Sequence, residues 1–353
     1  MGSNVDLSTL ANALSASPLF AGLGSDDLVR LPPKGLAHDH VRIKGIRVGG
    51  RGAIIRLPRL SQFGFDPATN LSYQAACFER ASQSGHVPRL LEILKPSHVI
   101  PLGALVVEEV DGGPVRLPDD LNGMAECFAR VHLLDVPSSS DRPPLVDQAD
   151  PLLGLMSFVE EQALFIEASA TDPASAQMLF EELDWARRFA ADKAGTHPPA
   201  RLCLTDTHPG NFMADTRGKV HFIDLEKALY GSPAVDLGHA TVLTSTLWDI
   251  SVQTELNYEE VRAFYHTYLD LLPSVMADEI RPWLLPLRRL AWLRSTTWSC
   301  KWYAEHHRNQ PAEMGLRARV QDHVARRLRL FVDVETILRV RAEWMSPDPL
   351  RLD

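Results

Sequence analysis

The chain has 353 residues, 45% of them hydrophobic and 23% charged, the balance of an ordinary globular protein with one or two packed units. Its formal net charge of −9 argues against a nucleic-acid partner and suits a cationic small substrate. No apolar run is long enough to span a bilayer and no basic segment followed by an apolar one opens the chain, so no membrane partner and a cytoplasmic location are expected; Cys77, Cys127, Cys203 and Cys300 form no C-x-x-C pair and read as reduced core residues.

From Val5 to Arg30, Leu7, Leu10, Leu14 and Leu28 recur at helical spacing, interrupted near Pro18 and Gly22, and predict a helical extension over residues 1–33, with a boundary at Pro32-Pro33. The pattern then changes to period two. Gly35 to Lys44 and Gly52 to Leu57, separated by Gly49-Gly50, read as adjacent antiparallel strands. An amphipathic helix is predicted over Asn70 to Ser84, ended by Gly85, then strands over Leu90 to Leu94 and Gly103 to Val110 before Asp111-Gly112-Gly113.

Beyond that point the chain turns helical: Asp119 to Leu134, Leu152 to Ala168 and Ala174 to Lys193, with a Ser- and Pro-rich loop at Pro137 to Pro144. After a central non-helical segment, helices are expected from Asp236 through Leu247, over Tyr258 to Leu272 and Arg281 to His307, and from Leu316 to Val340. The Arg281 to His307 stretch concentrates Trp283, Trp292, Trp298, Trp302 and Tyr303. Aromatic faces can hold a quaternary ammonium group, while the one-turn spacing of Trp298 and Trp302 is also that of a core stripe.

The central segment, Arg201 to Asp236, carries the chemistry. Leu202-Cys203-Leu204 leads into Asp206, a His208-Pro209-Gly210 turn and Asn211; a hairpin through Gly218 returns on Val220 to Ile223 and ends at Asp224 and Glu226. An Asp to accept or orient a hydroxyl proton, and an Asn with a second Asp to hold magnesium, are what phosphoryl transfer requires. The segments Leu204-Thr205-Asp206-Thr207-His208-Pro209-Gly210-Asn211, Ile223-Asp224-Leu225-Glu226 and Gly231-Ser232-Pro233-Ala234-Val235-Asp236 resemble the catalytic and metal loops of the aminoglycoside phosphotransferase and choline kinase family.

That resemblance implies an α+β, two-lobed protein-kinase-like fold with a β-rich nucleotide-binding lobe over residues 34–113 and a helical lobe over 114–353. It implies Asp206 as the catalytic residue, Asn211, Asp224 and Glu226 as magnesium ligands, and ATP as phosphoryl donor to a small-molecule hydroxyl of aminoglycoside, amino alcohol or sugar type. Gly35 and His38 fall where the family covers the nucleotide phosphates, and Glu108 to Val110 fall where backbone groups meet the adenine ring. Arg56 stands in place of the phosphate-binding lysine, Gln74 in place of the glutamate that orients it, and Leu204 in place of a bracing histidine. Gln74 can hydrogen-bond Arg56 but cannot neutralise it. These departures keep a second expectation open, a nucleotide-binding pseudokinase with a regulatory or scaffolding role. Asp236 is expected to brace the catalytic loop through backbone hydrogen bonds, His132 to be structural, and Asp249 and Glu255 are candidates for binding an ammonium group.

Overall fold

The computed structural model describes residues 5–32, 37–169, 172–306 and 316–352. Gly35, the Pro33-Lys34 boundary and His307 lie outside the described residues.

Helix α1 (Leu7–Leu14) is capped by Asp6, whose carboxylate accepts from the N–H groups of Ser8 and Thr9. The predicted helical stretch does not continue to Leu28. Pro18 and Gly22 break it, and Leu28 to Arg30 form strand β1 (Leu28–Arg30), paired antiparallel with β2 (His38–Val48). Strands β2 and β3 (Arg51–Pro58) meet at Gly49-Gly50, both at positive φ (60° and 83°), the two-residue turn that glycine makes without strain. With β4 (Leu90–Leu94) and β5 (Ala104–Glu108) they complete a five-stranded sheet in the order β1-β2-β3-β5-β4.

The period-two pattern of β3 separates its chemistry onto two faces. Ala53, Ile55 and Leu57 point to a core shared with Leu10, Leu14, Phe20, Val41 and Val106, so the N-terminal segment lids the outer face of the sheet. Ile54 packs against the larger core on the other side, and Arg56 faces that way too. Helix α2 (Pro67–Ala81) lies there, started by Asp66, which accepts from the N–H groups of Ala68 (3.0 Å) and Thr69 (3.1 Å), a cap worth about 1 kcal/mol.

The chain leaves the sheet through β6 (Gly112–Pro114) and continues in α3 (Leu121–His132), α4 (Pro151–Ala163), the single turn α5 (Ile166–Ser169) and α6 (Pro173–Asp192). Next come β7 (Arg201–Cys203), the hairpin β8 (Phe212–Asp215) and β9 (Val220–Phe222), and β10 (Leu229–Gly231), which pairs with β7. Strand β6 joins the hairpin through β8.

Helices α7 (Pro233–Thr241), α8 (Leu243–Thr246), α9 (Tyr258–Asp270), α10 (Ser274–Ile280) and α11 (Leu284–His306) complete the helical part with α12 (Leu316–Phe331) and α13 (Val334–Met345). The last predicted helix is two. Asp333 accepts from the N–H groups of Glu335 and Thr336, and this cap starts α13 where a single helix was expected. Asp236 also sits differently from expectation: Pro233 opens α7 and Ser232 occupies the cap position, so Asp236 lies inside the first turn with its carboxylate free to reach away from the helix. Among the described residues no helix is long and apolar enough to cross a membrane.

Helix α11 is tied to α7 and α13 by one buried guanidinium. Arg288 is 1% exposed, donates to Thr241 Oγ1 (2.5 Å) and C=O (3.3 Å), and pairs with Glu343 at 2.7 Å. Removing one partner of such a pair leaves an uncompensated buried charge. Glu343→Ala is therefore expected to lower stability by about 3–5 kcal/mol in urea unfolding. A loss below about 1 kcal/mol, the range of an exposed pair, would show that the contact does not hold the helices together.

Candidate active site

The loop between β7 and β8 is held by a single buried carboxylate. Asp236 accepts from the N–H of Leu204 (2.6 Å) and of Thr205 (2.9 Å), and lies 3.2 Å from His132 Nε2. The other ring nitrogen of His132 accepts from the Tyr268 hydroxyl at 2.9 Å, so the histidine is a structural brace, as expected. Thr205 takes φ of 63°, a conformation costly for a β-branched residue, by about 1–3 kcal/mol. Its Oγ1 donates to the Lys227 C=O at 2.9 Å, and with the Asp236 bond this offsets the strain. Leu204, where the family histidine was expected, is fully buried in the main core. His239 helps to fix this loop instead, its Nδ1 accepting from the Thr207 N–H at 3.1 Å.

That turn delivers Asp206 and Asn211. Asn211 Nδ2 donates to the Asp206 C=O at 2.8 Å, which leaves its carbonyl oxygen available to a ligand. The Asp206 carboxylate accepts from Lys227 Nζ at 2.8 Å. Burial would raise the Asp206 pKa, but Lys227, His208 and His239 outweigh it and hold the carboxyl well below its usual range. Burial lowers Lys227 and Asp206 more than restores it, so both partners favour the ionised pair.

The second acidic corner is reached from the sheet. Arg56, 4% exposed, donates to Asp224 Oδ1 at 2.5 Å and to the Ile223 C=O at 2.9 Å, with its guanidinium 5.4 Å from the Phe78 ring centre. Burial pushes Asp224 up, but Arg56 and His38 keep its carboxyl below the ordinary value. The expected Gln74 to Arg56 contact is replaced: a charged acceptor outcompetes a neutral amide for the guanidinium, and Gln74 Oε1 lies instead 3.2 Å from His38 Nε2. His38 is turned inward and buried, its Nδ1 3.7 Å from Glu226 Oε2. Burial, then Arg56, lowers His38 to about 4, while burial, then Asp224, pushes Glu226 up to about 8. Near neutral pH this contact joins two uncharged groups, and it is not an ion pair.

The remaining expected positions divide. Glu108 has its N–H taken by the Arg89 C=O (2.9 Å) and its carboxylate by the Arg89 side chain (2.7 Å), because the β4–β5 pairing continues to this residue. Val110 N–H and C=O have no backbone partner among the described residues. Asp249 lies against the His208-Pro209-Gly210 turn, so close that a Cβ on Gly210 would come within 2.4 Å of its carboxylate. Glu255 is paired with Arg339 at 2.8 Å. Of the aromatics, Trp292 is a core residue against Trp344, whereas Trp298 is 37% exposed and edge-on to Trp248 at 5.4 Å, off the core stripe its spacing suggested. Lys227 and His239 were not singled out from sequence, although Lys227 directly follows Glu226 and His239 stands three residues after Asp236.

A family model described as the phosphotransferase enzyme family matches residues 30–275. No curated protein matches the sequence significantly. Solved structures of similar fold include choline kinase from Cryptosporidium parvum Iowa II, with TM-score 0.59 at 11% identity over 96% of this chain and 94% of that one. A choline/ethanolamine kinase family protein from Mesorhizobium loti gives TM-score 0.54 at 19% identity, over 94% of this chain and 98% of that one. A thermostable mutant of an aminoglycoside phosphotransferase, in ternary complex with AMP-PNP and hygromycin B, gives TM-score 0.57 at 16% identity, over 95% and 99%. At these identities the likeness is one of fold: a two-lobed protein-kinase-like architecture, as the motifs implied.

The raised Glu226 carboxyl has a measurable consequence. With a pKa of about 8 in the folded chain against about 4.3 unfolded, its contribution to stability is complete below pH ~4.3 and is lost as pH rises through about 8. Glu226→Gln stays uncharged throughout. The melting temperature of the variant is expected to gain on that of the parent as pH rises from about 5 to about 9. A difference that stays constant with pH would remove the assignment.

Proposed function

Because the phosphotransferase enzyme family model spans most of the chain, the protein belongs to that family, and we propose that it is an ATP- and magnesium-dependent kinase for a small-molecule hydroxyl. The observation that carries this reading is the Asp206–Asn211 turn, fixed by Asp236 and standing beside Asp224.

Asp206, kept ionised by Lys227, orients the acceptor hydroxyl and takes up its proton as the oxygen attacks the γ-phosphate. Asn211, Asp224 and Glu226 would hold magnesium. The fit is supported by the free carbonyl oxygen of Asn211 and by Glu226 Oε2, a buried carboxylate oxygen with no hydrogen-bond partner. When bound, the ion neutralises charge developing on the phosphoryl oxygens. Arg56, now donating to Asp224, would turn to the α- and β-phosphates, and Val110, whose main-chain groups have no backbone partner among the described residues, would engage the adenine ring. The nucleotide-contacting residues lie within 34–113 and the transfer machinery within 114–353, which supports dividing the chain there.

For the acceptor, Asp249 beside Gly210 and the exposed Trp298 edge-on to Trp248 support a hydroxylated amine. The Arg56–Asp224 pair favours the second reading, a nucleotide-binding pseudokinase, because it occupies an oxygen that a metal would use.

Asp206→Asn is expected to reduce transfer to a panel of hydroxylated amines and sugars by about 10²- to 10⁴-fold while leaving ATP binding intact. Asp224→Asn is expected to abolish the magnesium-supported transfer, and unchanged activity would remove the metal assignment. ATP binding by the parent protein with no turnover on any acceptor would instead select the pseudokinase. Lys227→Ala tests the ion pair separately: with the neutralising charge gone, the acidic limb of the kcat pH profile is expected to move to higher pH. An unmoved limb would show that Asp206 is not the group being titrated.

A further inference from the structure

We propose that His38, Asp224 and Glu226 form a mixed nitrogen and oxygen site that takes a divalent cation of the first transition row, manganese(II) among them, in preference to magnesium. The inference rests on the metal reading above and deepens it: the sheet contributes a nitrogen ligand to the ion site.

Three observations carry it. First, one ligand atom from each of His38, Asp224 and Glu226 lies within 4.8 Å of the others. The 3.7 Å between His38 Nδ1 and Glu226 Oε2 is too long for a good hydrogen bond. It suits two atoms each about 2.1 Å from a common ion, which at angles of roughly 90–125° stand about 3.0–3.7 Å apart.

Second, the hydrogen bond to Gln74 sets the tautomer of His38. A carboxamide oxygen only accepts, so His38 Nε2 carries the proton and Nδ1 presents its lone pair toward Glu226. Metal-binding histidines are oriented in this way, by donating the remote N–H to an oxygen. Gln74 thereby acquires a reason. A glutamate there would draw the imidazole toward its cationic form, whereas a neutral amide fixes the ring and leaves the lone pair free.

Third, Glu226 is 5% exposed, and its Oε2 is a buried oxygen without a hydrogen-bond partner. Such an oxygen is costly to bury and calls for an occupant. Magnesium prefers an all-oxygen shell, while imidazole favours transition-row ions, so replacing one oxygen by His38 Nδ1 shifts selectivity away from magnesium.

The test uses the full chain without nucleotide, titrated with manganese(II) and followed by electron paramagnetic resonance, with magnesium as competitor. The expected result is one bound manganese whose pulsed spectrum shows nitrogen hyperfine coupling, displaced by magnesium only at a large excess. His38→Ala is expected to lose that coupling and about 10- to 100-fold of the manganese affinity, and Glu226→Gln to lose affinity while keeping the coupling. The parent spectrum decides the matter even if a variant fails to fold. Absence of bound manganese, bound manganese without nitrogen coupling, or equal affinity for the two ions would each overturn the proposal. Phosphotransfer without nitrogen coupling would leave the kinase reading standing alone; coupling without phosphotransfer would do the reverse.

Discussion

The arrangement depends on one carboxylate placed where no water reaches it. Asp236 accepts from two successive backbone N–H groups and faces the ring of His132, and these contacts are what make its burial tolerable. They also decide the path of the chain, since Thr205 holds its left-handed conformation under their constraint and every later residue of the loop is aimed by it. The position of Asp206 and its bond from Asn211 follow from a residue thirty places downstream, inside a helix.

Six acidic and basic side chains then share a small volume without sharing a charge state. Asp206 and Asp224 each have a cation within hydrogen-bond reach, Lys227 and Arg56, and stay ionised. Glu226, next to Asp224 and facing an uncharged histidine, is pushed toward its neutral form. The separation follows from which groups have a positive neighbour, and it leaves two carboxylates charged while a third is pushed toward its neutral form.

Much of this was legible in the sequence. The order Asp206, Asn211, Asp224 on a turn and a hairpin marks the candidate site because phosphoryl transfer would use such groups on adjacent loops, and the paired glycines at 49 and 50 identify the first hairpin. Partners separated by long stretches were not legible. Arg56 meeting Asp224 instead of Gln74, and His38 turning inward to Glu226, depend on how the sheet docks on the hairpin. No periodicity records that docking. Likewise, Leu28 to Arg30 continue a helical spacing by composition, yet an available neighbour in β2 draws them into the sheet.

Strand β6 is stitched to the β8–β9 hairpin immediately after the chain leaves the sheet, with Asp111 C=O accepting from the Thr216 N–H at 2.9 Å and Gly112 lying flush against Ala214. On the other side, the Glu109 N–H is fastened to the Gly52 C=O at 2.8 Å. Between these anchorages Val110 is the residue whose main chain is left unfastened among the described residues. Backbone slack in this crossing is thus gathered at a single residue, while Arg56, reaching over to Asp224 and the Ile223 C=O, rivets the sheet to the hairpin a second time.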